Sequence, residues 1–328
     1  MDLIHKVMNW VMPPLTLILL CLILPPLFIF RFIRAIVASF TMENMAGKVV
    51  LITGASSAIG EHIAYEYAKR GAYLVLVATR EDCLGKVAGR ARQLGSPDVV
   101  LICADVSQIK ECKRFVEEAV NHHFGRLDHL VCNTGTESFG LFEDAADVAK
   151  FAPVMDVNFW GSVAPACFAI PHLRKSRGRI VVNASVLGWT VSPWASVYGA
   201  TKAALVNFYE TFRIDLKQEV KITTVAPAFI EAEMLQEKHS SNTGDIVADE
   251  KMRKIMVSLF AVRSSEECAK AIVNGACRGD RYVIEPPWYK VFILFQFVCP
   301  GLVQWCAHWL FTTSDQVPPR GCCKKRMF

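Results

Sequence analysis

The chain has 328 residues, enough for one α/β domain of ordinary size plus extensions. Hydrophobic residues make up 52% and mean hydropathy is +0.29, which excludes a disordered polar chain and points to segments that leave water. The net charge of +5 is spread rather than massed, so nucleic acid is not an expected partner. The 12 cysteines lack Cys-x-x-Cys spacing and read as reduced core residues rather than metal ligands.

At the amino terminus, no charged residue falls between Val7 and Phe30, a stretch long enough to cross a bilayer as a helix. Pro13-Pro14 and Pro25-Pro26 bracket the apolar run Leu15 to Leu24, and paired prolines are expected to break helix at both borders. Residues 1–40 are therefore predicted to be a hairpin or kinked membrane anchor, suited to a shallow or monolayer setting such as a lipid droplet. A cleaved signal peptide fits less well, because Asp2 opposes Lys6 and no small-x-small site precedes Arg31. Arg31 and Arg34 at the exit place the domain that follows, 41–288, in the cytosol.

Within 41–288 about seven apolar strand-like runs alternate with helical patterns, which predicts a doubly wound, mostly parallel Rossmann sheet. The first run, Val49-Val50-Leu51-Ile52-Thr53, leads through Gly54-Ala55-Ser56-Ser57-Ala58-Ile59-Gly60 into a helix from Glu61 to Arg70. Such a turn brings main chain and a helix N-terminus to a pyrophosphate, so Gly54, Ser56, Ser57, Ile59 and Gly60 are candidate dinucleotide contacts. An ordinary βα turn is the competing reading. After the second run, Leu74 to Ala78, no acidic residue is placed to bond a ribose 2′-hydroxyl, whereas Arg80 suits a 2′-phosphate. Arg80 thus favours NADP over NAD, with a plain surface charge as its competing reading, and Thr79 beside it is a further candidate cofactor contact. Asp105 ends the third run, where it either meets an adenine or caps a helix beginning near Ser107. His122-His123 reads as helix surface, and the eight histidines show no ligand spacing, so no metal site is expected. Asn133 and Gly135 end the fourth run.

Tyr198 and Lys202 stand four residues apart in a helical stretch, so phenol and ammonium share one face. A phenol titrates near ~10 in water, and a fixed cation favours its phenolate, which equips such a tyrosine to pass a proton at neutral pH. Ser185 precedes Tyr198 at the end of Ile180-Val181-Val182-Asn183-Ala184-Ser185, and Asn158 lies in Asp156-Val157-Asn158-Phe159-Trp160. Taken singly, the serine reads as a strand-end cap and the asparagine as a buried hydrogen-bonding residue.

Together these motifs, over roughly Met45 to Pro286, resemble the short-chain dehydrogenase/reductase family. The resemblance implies hydride transfer with a nicotinamide dinucleotide. Tyr198 would be the general acid/base, Lys202 would lower its pKa and bind the nicotinamide ribose, and Ser185 would bond the substrate oxygen. Asn158 would hold a relay water against Lys202. Asp105 matches the residue that meets the adenine amino group, and Asn133 and Gly135 match contacts beside the adenine ribose. Three positions depart from the family pattern: Ala58 replaces the middle glycine of the turn, Ala228 a glycine after the sixth strand, and Ala232 a hydroxyl residue near the carboxamide.

Beyond Tyr282-Val283-Ile284-Glu285, residues 289–311 are apolar and aromatic, interrupted by Pro300-Gly301. They suit a membrane surface that frames a substrate entrance, and equally a buried helix pair or an oligomer interface such as a homodimer. The tail, 312–328, carries Arg320, Lys324, Lys325 and Arg326 against Asp315 and suits an anionic surface; Cys322-Cys323 is a weak acylation candidate. Residues 136–147 and those after Ile230, including a polar flap from Gln236 to Glu250, are expected to shape the substrate pocket. With the anchor added, the chain also resembles the plant oil-body steroleosins. That likeness implies an NADP-dependent hydroxysteroid or sterol dehydrogenase at the lipid droplet or endoplasmic reticulum, acting on a lipophilic substrate. The rival is a weakly active or non-catalytic droplet-coating or sterol-binding protein, motivated by the three alanines.

Overall fold

A computed structural model of the protein describes residues 2–40, 42–123, 125–138, 142, 147–228, 230 and 263–312. The chain divides into two compact units, Met1–Glu43 and Asn44–Phe328. The first is α1 (Asp2–Phe40), one α-helix with all four prolines inside it. This corrects the hairpin expectation, because the paired prolines do not interrupt the helix. Proline's fixed φ matches helix geometry, and each ring removes a single N–H, costing the carbonyls of Asn9, Trp10, Cys21 and Leu22 their regular donors. Opening the helix in an apolar setting would strand more backbone groups than that. Beside the first pair, the Thr16 hydroxyl donates to the Met12 carbonyl at 2.7 Å. Leu3–Phe30 is long and apolar enough to cross a membrane, by length and composition, and none of it is buried within the protein.

The second unit is built on a seven-stranded, all-parallel sheet in the order β3-β2-β1-β4-β5-β6-β7. The strands are β1 (Val49–Thr53), β2 (Tyr73–Ala78), β3 (Val99–Cys103), β4 (His129–Cys132), β5 (Arg179–Asn183), β6 (Lys221–Pro227) and β7 (Tyr282–Glu285). Their continuous apolar runs follow from helices covering both faces. Alternation sends Val50 and Ile52 of β1 into one core with α2 (Ala58–Ala68), α3 (Glu81–Gln93) and α8 (Ser265–Arg278). Val49 and Leu51 enter the other, with α4 (Ile109–His122), α6 (Gly161–Ser176) and α7 (Ser196–Asp215). Each such fully buried aliphatic side chain contributes about 1.5–3 kcal/mol. On α4, Cys112, Phe115, Val116, Ala119 and Val120 form the buried stripe that helical spacing requires.

Strand order reverses between β1 and β4, so a crevice opens beyond their carboxyl ends, the place where open parallel sheets bind ligands. Register fixes what surrounds it. Thr53 pairs with Val77 and Cys132, and Cys132 pairs with Val182, so Gly54, Ala78, Asn133 and Asn183 share one edge. A short helix α5 (Ala152–Met155) and a π-helical turn, Asp156–Trp160, lead into α6. After β7 come α9 (Tyr289–Val298) and α10 (Pro300–Thr312), which meet at 113°. Tyr289 is buried, but Val291, Leu294, Phe297, Val298 and Trp305 are exposed, so these helices are not a pair buried within the chain. His123, expected at the helix surface, is instead buried at 9% exposure because it caps α4 where the helix turns back against the sheet edge. The basic tail, Ala232, the proposed flap and most of residues 136–147 lie outside the described residues.

Candidate active site

The phosphate-turn candidate is held mainly by backbone. Gly54 has φ +65°, a conformation side chains rarely adopt, and a Cβ there would press on the Thr134 backbone at 2.9 Å. A Cβ on Gly60 would collide with the Gly54 carbonyl, so only glycine lets α2 sit this close to β1. Ser57 caps α2, its hydroxyl accepting from the Gly60 N–H at 3.1 Å. The remaining N–H groups of the first turn have no intrahelical partner, so the end of α2 suits an anion, and the glycine-built turn fits a dinucleotide pyrophosphate. Ile59 is buried in the core, so its part in such a site is limited to its main chain. Ala58 is 4% exposed, which packs its methyl in protein rather than in the open crevice.

Arg80 reaches this turn from the end of β2, where Thr79 is also exposed. Its guanidinium donates to the Ser56 carbonyl at 2.9 Å and lies 3.4 Å from the Ser56 hydroxyl. Asp105, past β3, accepts the Ser107 N–H at 2.9 Å; α4 starts two residues beyond that, with Gln108 as its N-cap. The aspartate is therefore part of a local turn rather than the helix cap. Thr53 ties β1 to β4, its hydroxyl receiving the Asn133 N–H at 3.2 Å. Burial pushes the Cys132 thiol up to about 11, so it is no thiolate nucleophile.

Asn133 begins a chain of amides that crosses the crevice. Its side chain donates to the Ser57 hydroxyl at 3.1 Å and accepts from Asn183 at 3.2 Å; Asn183 in turn accepts the Ser185 N–H at 3.3 Å. Ser185 has φ 55° and ψ 159°, a region nearly reserved for glycine, and such strain collects at functional sites. Its hydroxyl lies 3.4 Å from both the Leu187 N–H and the Pro227 carbonyl, so it caps the turn that follows β5.

Lys202 is 2% exposed, and its ammonium donates to the Asn183 carbonyl at 3.0 Å. The same nitrogen lies 5.6 Å from the centre of the Tyr198 ring, so α7 presents both groups to one place as the four-residue spacing requires. Gly135 closes in from β4: a Cβ on it would stand 3.2 Å from the Lys202 nitrogen and 3.5 Å from Asn158 Oδ1. Asn158 is fully buried on the π-helical turn, a feature frequent at functional sites. Its amide donates to the Thr136 carbonyl at 2.9 Å and the Thr201 hydroxyl at 3.0 Å, and accepts the Thr136 N–H at 2.7 Å. Both donor hydrogens are thus committed, and a relay water would be met through Oδ1 or the main chain. The Thr201 hydroxyl in turn donates to the Tyr198 carbonyl at 2.7 Å.

The structure therefore gathers Asn158, Ser185, Tyr198 and Lys202 at one strand edge, with Gly54, Ser56, Ser57, Gly60, Arg80, Asn133 and Gly135 along the same crevice. Asn183 and Thr201 were not anticipated, although a polar residue ending the apolar run Ile180-Val181-Val182 was a visible signal. Ala228 and Tyr198 are both partly buried and pack against an apolar cluster that includes Val186, Leu187 and Tyr289.

Residues 48–243 match the family model described as short chain dehydrogenase. The chain is 46% identical over 327 residues to 11-beta-hydroxysteroid dehydrogenase 1A of Arabidopsis thaliana, covering 100% of this chain and 93% of that one. It is 47% identical over 320 residues to 11-beta-hydroxysteroid dehydrogenase A of Sesamum indicum, covering 98% and 91%. Among solved structures, an alcohol dehydrogenase from the archaeon Thermococcus sibiricus complexed with 5-hydroxy-NADP matches at TM-score 0.58 and 26% identity, over 69% of this chain and 88% of that one. A Burkholderia phymatum short chain dehydrogenase/reductase in complex with NAD matches in fold at TM-score 0.69 and 24% identity, over 80% and 97%. With this fold, these matches and a Tyr198/Lys202 pair at one strand edge, the chain belongs to the short-chain dehydrogenase/reductase family of oxidoreductases.

Proposed function

We propose that the protein is an NADP-dependent dehydrogenase that interconverts a secondary alcohol and a ketone on a hydroxysteroid or sterol, at the surface of a lipid droplet or the endoplasmic reticulum. The observation that carries this reading is the buried Lys202 ammonium beside Tyr198, next to the strained Ser185. Burying a cation costs several kcal/mol unless something uses the charge, and a phenolate on Tyr198 is such a use. The bound dinucleotide would supply or accept the hydride. In the reductive direction Tyr198 gives its phenolic proton to the carbonyl oxygen as charge develops there, and Ser185 donates a hydrogen bond to the same oxygen. Lys202, fixed by the Asn183 carbonyl, sets a positive charge beside the phenol and would meet the ribose. Asn158 links Thr201 of α7 to Thr136 in the loop after β4 and so would set the tyrosine's position. In oxidation the same proton travels back.

Arg80 beside Ser56 supports NADP, since its guanidinium stands by the phosphate turn and β2 runs out through Ala78 and Thr79 rather than a carboxylate. The substrate class rests on the names of the relatives and on the apolar cluster at Tyr198. The location rests on α1, and the proposed organisation is an anchor at 1–40, a catalytic domain at 41–288, an apolar segment at 289–311 and a tail at 312–328. The test is turnover by the detergent-solubilised full chain with NADPH or NADH and a panel of ketosteroids, and with NADP⁺ and the matching alcohols. NADPH-linked turnover supports the proposal. Folded, dinucleotide-bound protein that transfers no hydride to any member would instead favour the coat or sterol-binding reading.

A further inference from the structure

On the edge of the sheet opposite the crevice, three side chains far apart in sequence meet. Asp98 stands just before β3, His122 ends α4 and His123 is its C-cap. His122 Nε2 lies 3.0 Å and His123 Nε2 3.7 Å from the same Asp98 oxygen, Oδ2, and all three atoms lie within 4.8 Å of one another. Bonds of about 2.1 Å at tetrahedral angles separate ligand atoms by roughly 3.4 Å, so these spacings suit a shared ion with small adjustment. They border a cavity of about 590 Å³ lined also by Gly47, Val49, Tyr73 and Arg126, which leaves room for water on the ion's open side.

His123 adds an independent observation. It is more than nine-tenths buried, and its Nδ1 lies 3.3 Å from the Ala119 carbonyl, an acceptor that can only be met by Nδ1–H. That bond places the ring's proton on Nδ1 and its lone pair on Nε2, the arrangement by which a backbone carbonyl orients a ligating histidine. Nε2 has no hydrogen-bond partner, yet it points at a carboxylate oxygen that is also an acceptor. Nε2 of the buried His123 and Oδ2 of Asp98 are thus two acceptors 3.7 Å apart, a pair that a cation between them would satisfy, while the half-exposed Asp98 and His122 leave its other side to water. The nearby Arg126 does not fill that role, because its guanidinium is held by Asp128 at 2.8 and 3.1 Å.

We propose that Asp98, His122 and His123 bind a divalent transition-metal ion of the Zn²⁺ type, clamping the start of β3 to the end of α4. Two imidazoles and one carboxylate suit a borderline ion of this kind rather than Mg²⁺ or Ca²⁺. The site lies at the far end of the strands from Tyr198, so its role is structural. It is tested on the untagged full chain, stripped with chelator and titrated with ZnCl₂ by calorimetry, with thermal unfolding measured in parallel. One equivalent of Zn²⁺ binds and raises the unfolding temperature, and Asp98→Asn, which keeps size and fold, weakens binding roughly tenfold or more. His123→Gln does the same where it folds. Steroid-independent NADPH binding is unchanged in Asp98→Asn. Absence of stoichiometric binding, or binding that Asp98→Asn leaves intact, overturns the proposal.

Discussion

Around Lys202 the crevice is held by side chains that bond one another: Asn158 to Thr201, and Asn183 to Asn133. Around the β1–α2 turn it is held by main chain, and what matters there is the lack of side chains at Gly54 and Gly60. The two halves therefore tolerate change differently. In the first, replacing an atom removes a bond; in the second, adding an atom removes space. The departures from the family pattern at described residues, Ala58 and Ala228, each add one methyl; Ala58 is buried, and Ala228 is partly buried against an apolar cluster. The proposed proton-transfer half carries no departure among its four residues.

The sharpest way to separate the halves is Tyr198→Phe. It removes one oxygen from the first half and touches nothing in the second, so turnover falls by about 10²–10⁴-fold while NADPH affinity, read by fluorescence quenching, stays. Unchanged turnover would dismiss Tyr198 as the acid/base. Gly60→Ala does the reverse. The new methyl meets the Gly54 carbonyl, and relieving that overlap shifts α2 away from β1 at a cost of about 1–3 kcal/mol. The expected result is a lower unfolding temperature together with lost dinucleotide binding, and wild-type values for both would show that the turn is looser than its backbone contacts indicate.

Arg80→Ala sharpens the cofactor half. Losing a charge-assisted bond to a 2′-phosphate weakens NADPH binding by roughly 1.5–3 kcal/mol, about tenfold to a hundredfold, and leaves NADH unaffected. An equal loss for both would mean that Arg80 supports the turn through Ser56 and does not select the phosphate. Asn183→Ala reaches both halves, since this residue holds the Ser185 N–H, the Lys202 ammonium through its carbonyl, and Asn133. As a positioning residue it costs kcat about tenfold with KM for NADPH little changed, and Asn183→Asp, which keeps the acceptor for Ser185, recovers part of that. A purely structural role would instead show as lower stability with kcat intact.

What could be read beforehand follows the same division. The Gly54-to-Gly60 turn and the Tyr198/Lys202 pair are local, so a few residues of sequence carry their geometry, and alternating apolar runs carry the parallel sheet. The amide web was hidden because it joins residues far apart: Asn158 to Thr136 across 22 positions and Asn183 to Asn133 across 50. Asp98 and His122, 24 positions apart, escaped for the same reason, and adjacent histidines at a helix end gave no sign that one would be buried. At α1 the local rule itself misled. Proline lowers helix propensity on a scale set by water, whereas a long apolar segment gains little by exposing its backbone.

Ala58→Gly is expected to have the smallest effect. In an ordinary phosphate turn the middle glycine keeps a side chain away from the pyrophosphate, so an alanine there suggests a weakened site. In this chain residue 58 opens α2 and is 4% exposed, and its methyl is covered by protein. Restoring glycine then takes away packing and adds chain entropy, costing up to about 1 kcal/mol of stability, without enlarging the crevice. NADPH affinity should move by less than about twofold, under ~0.5 kcal/mol. A tenfold gain in affinity would mean that the methyl does press on the dinucleotide. The cofactor half would then be the weakened half, and the non-catalytic reading would gain the support that the geometry now denies it.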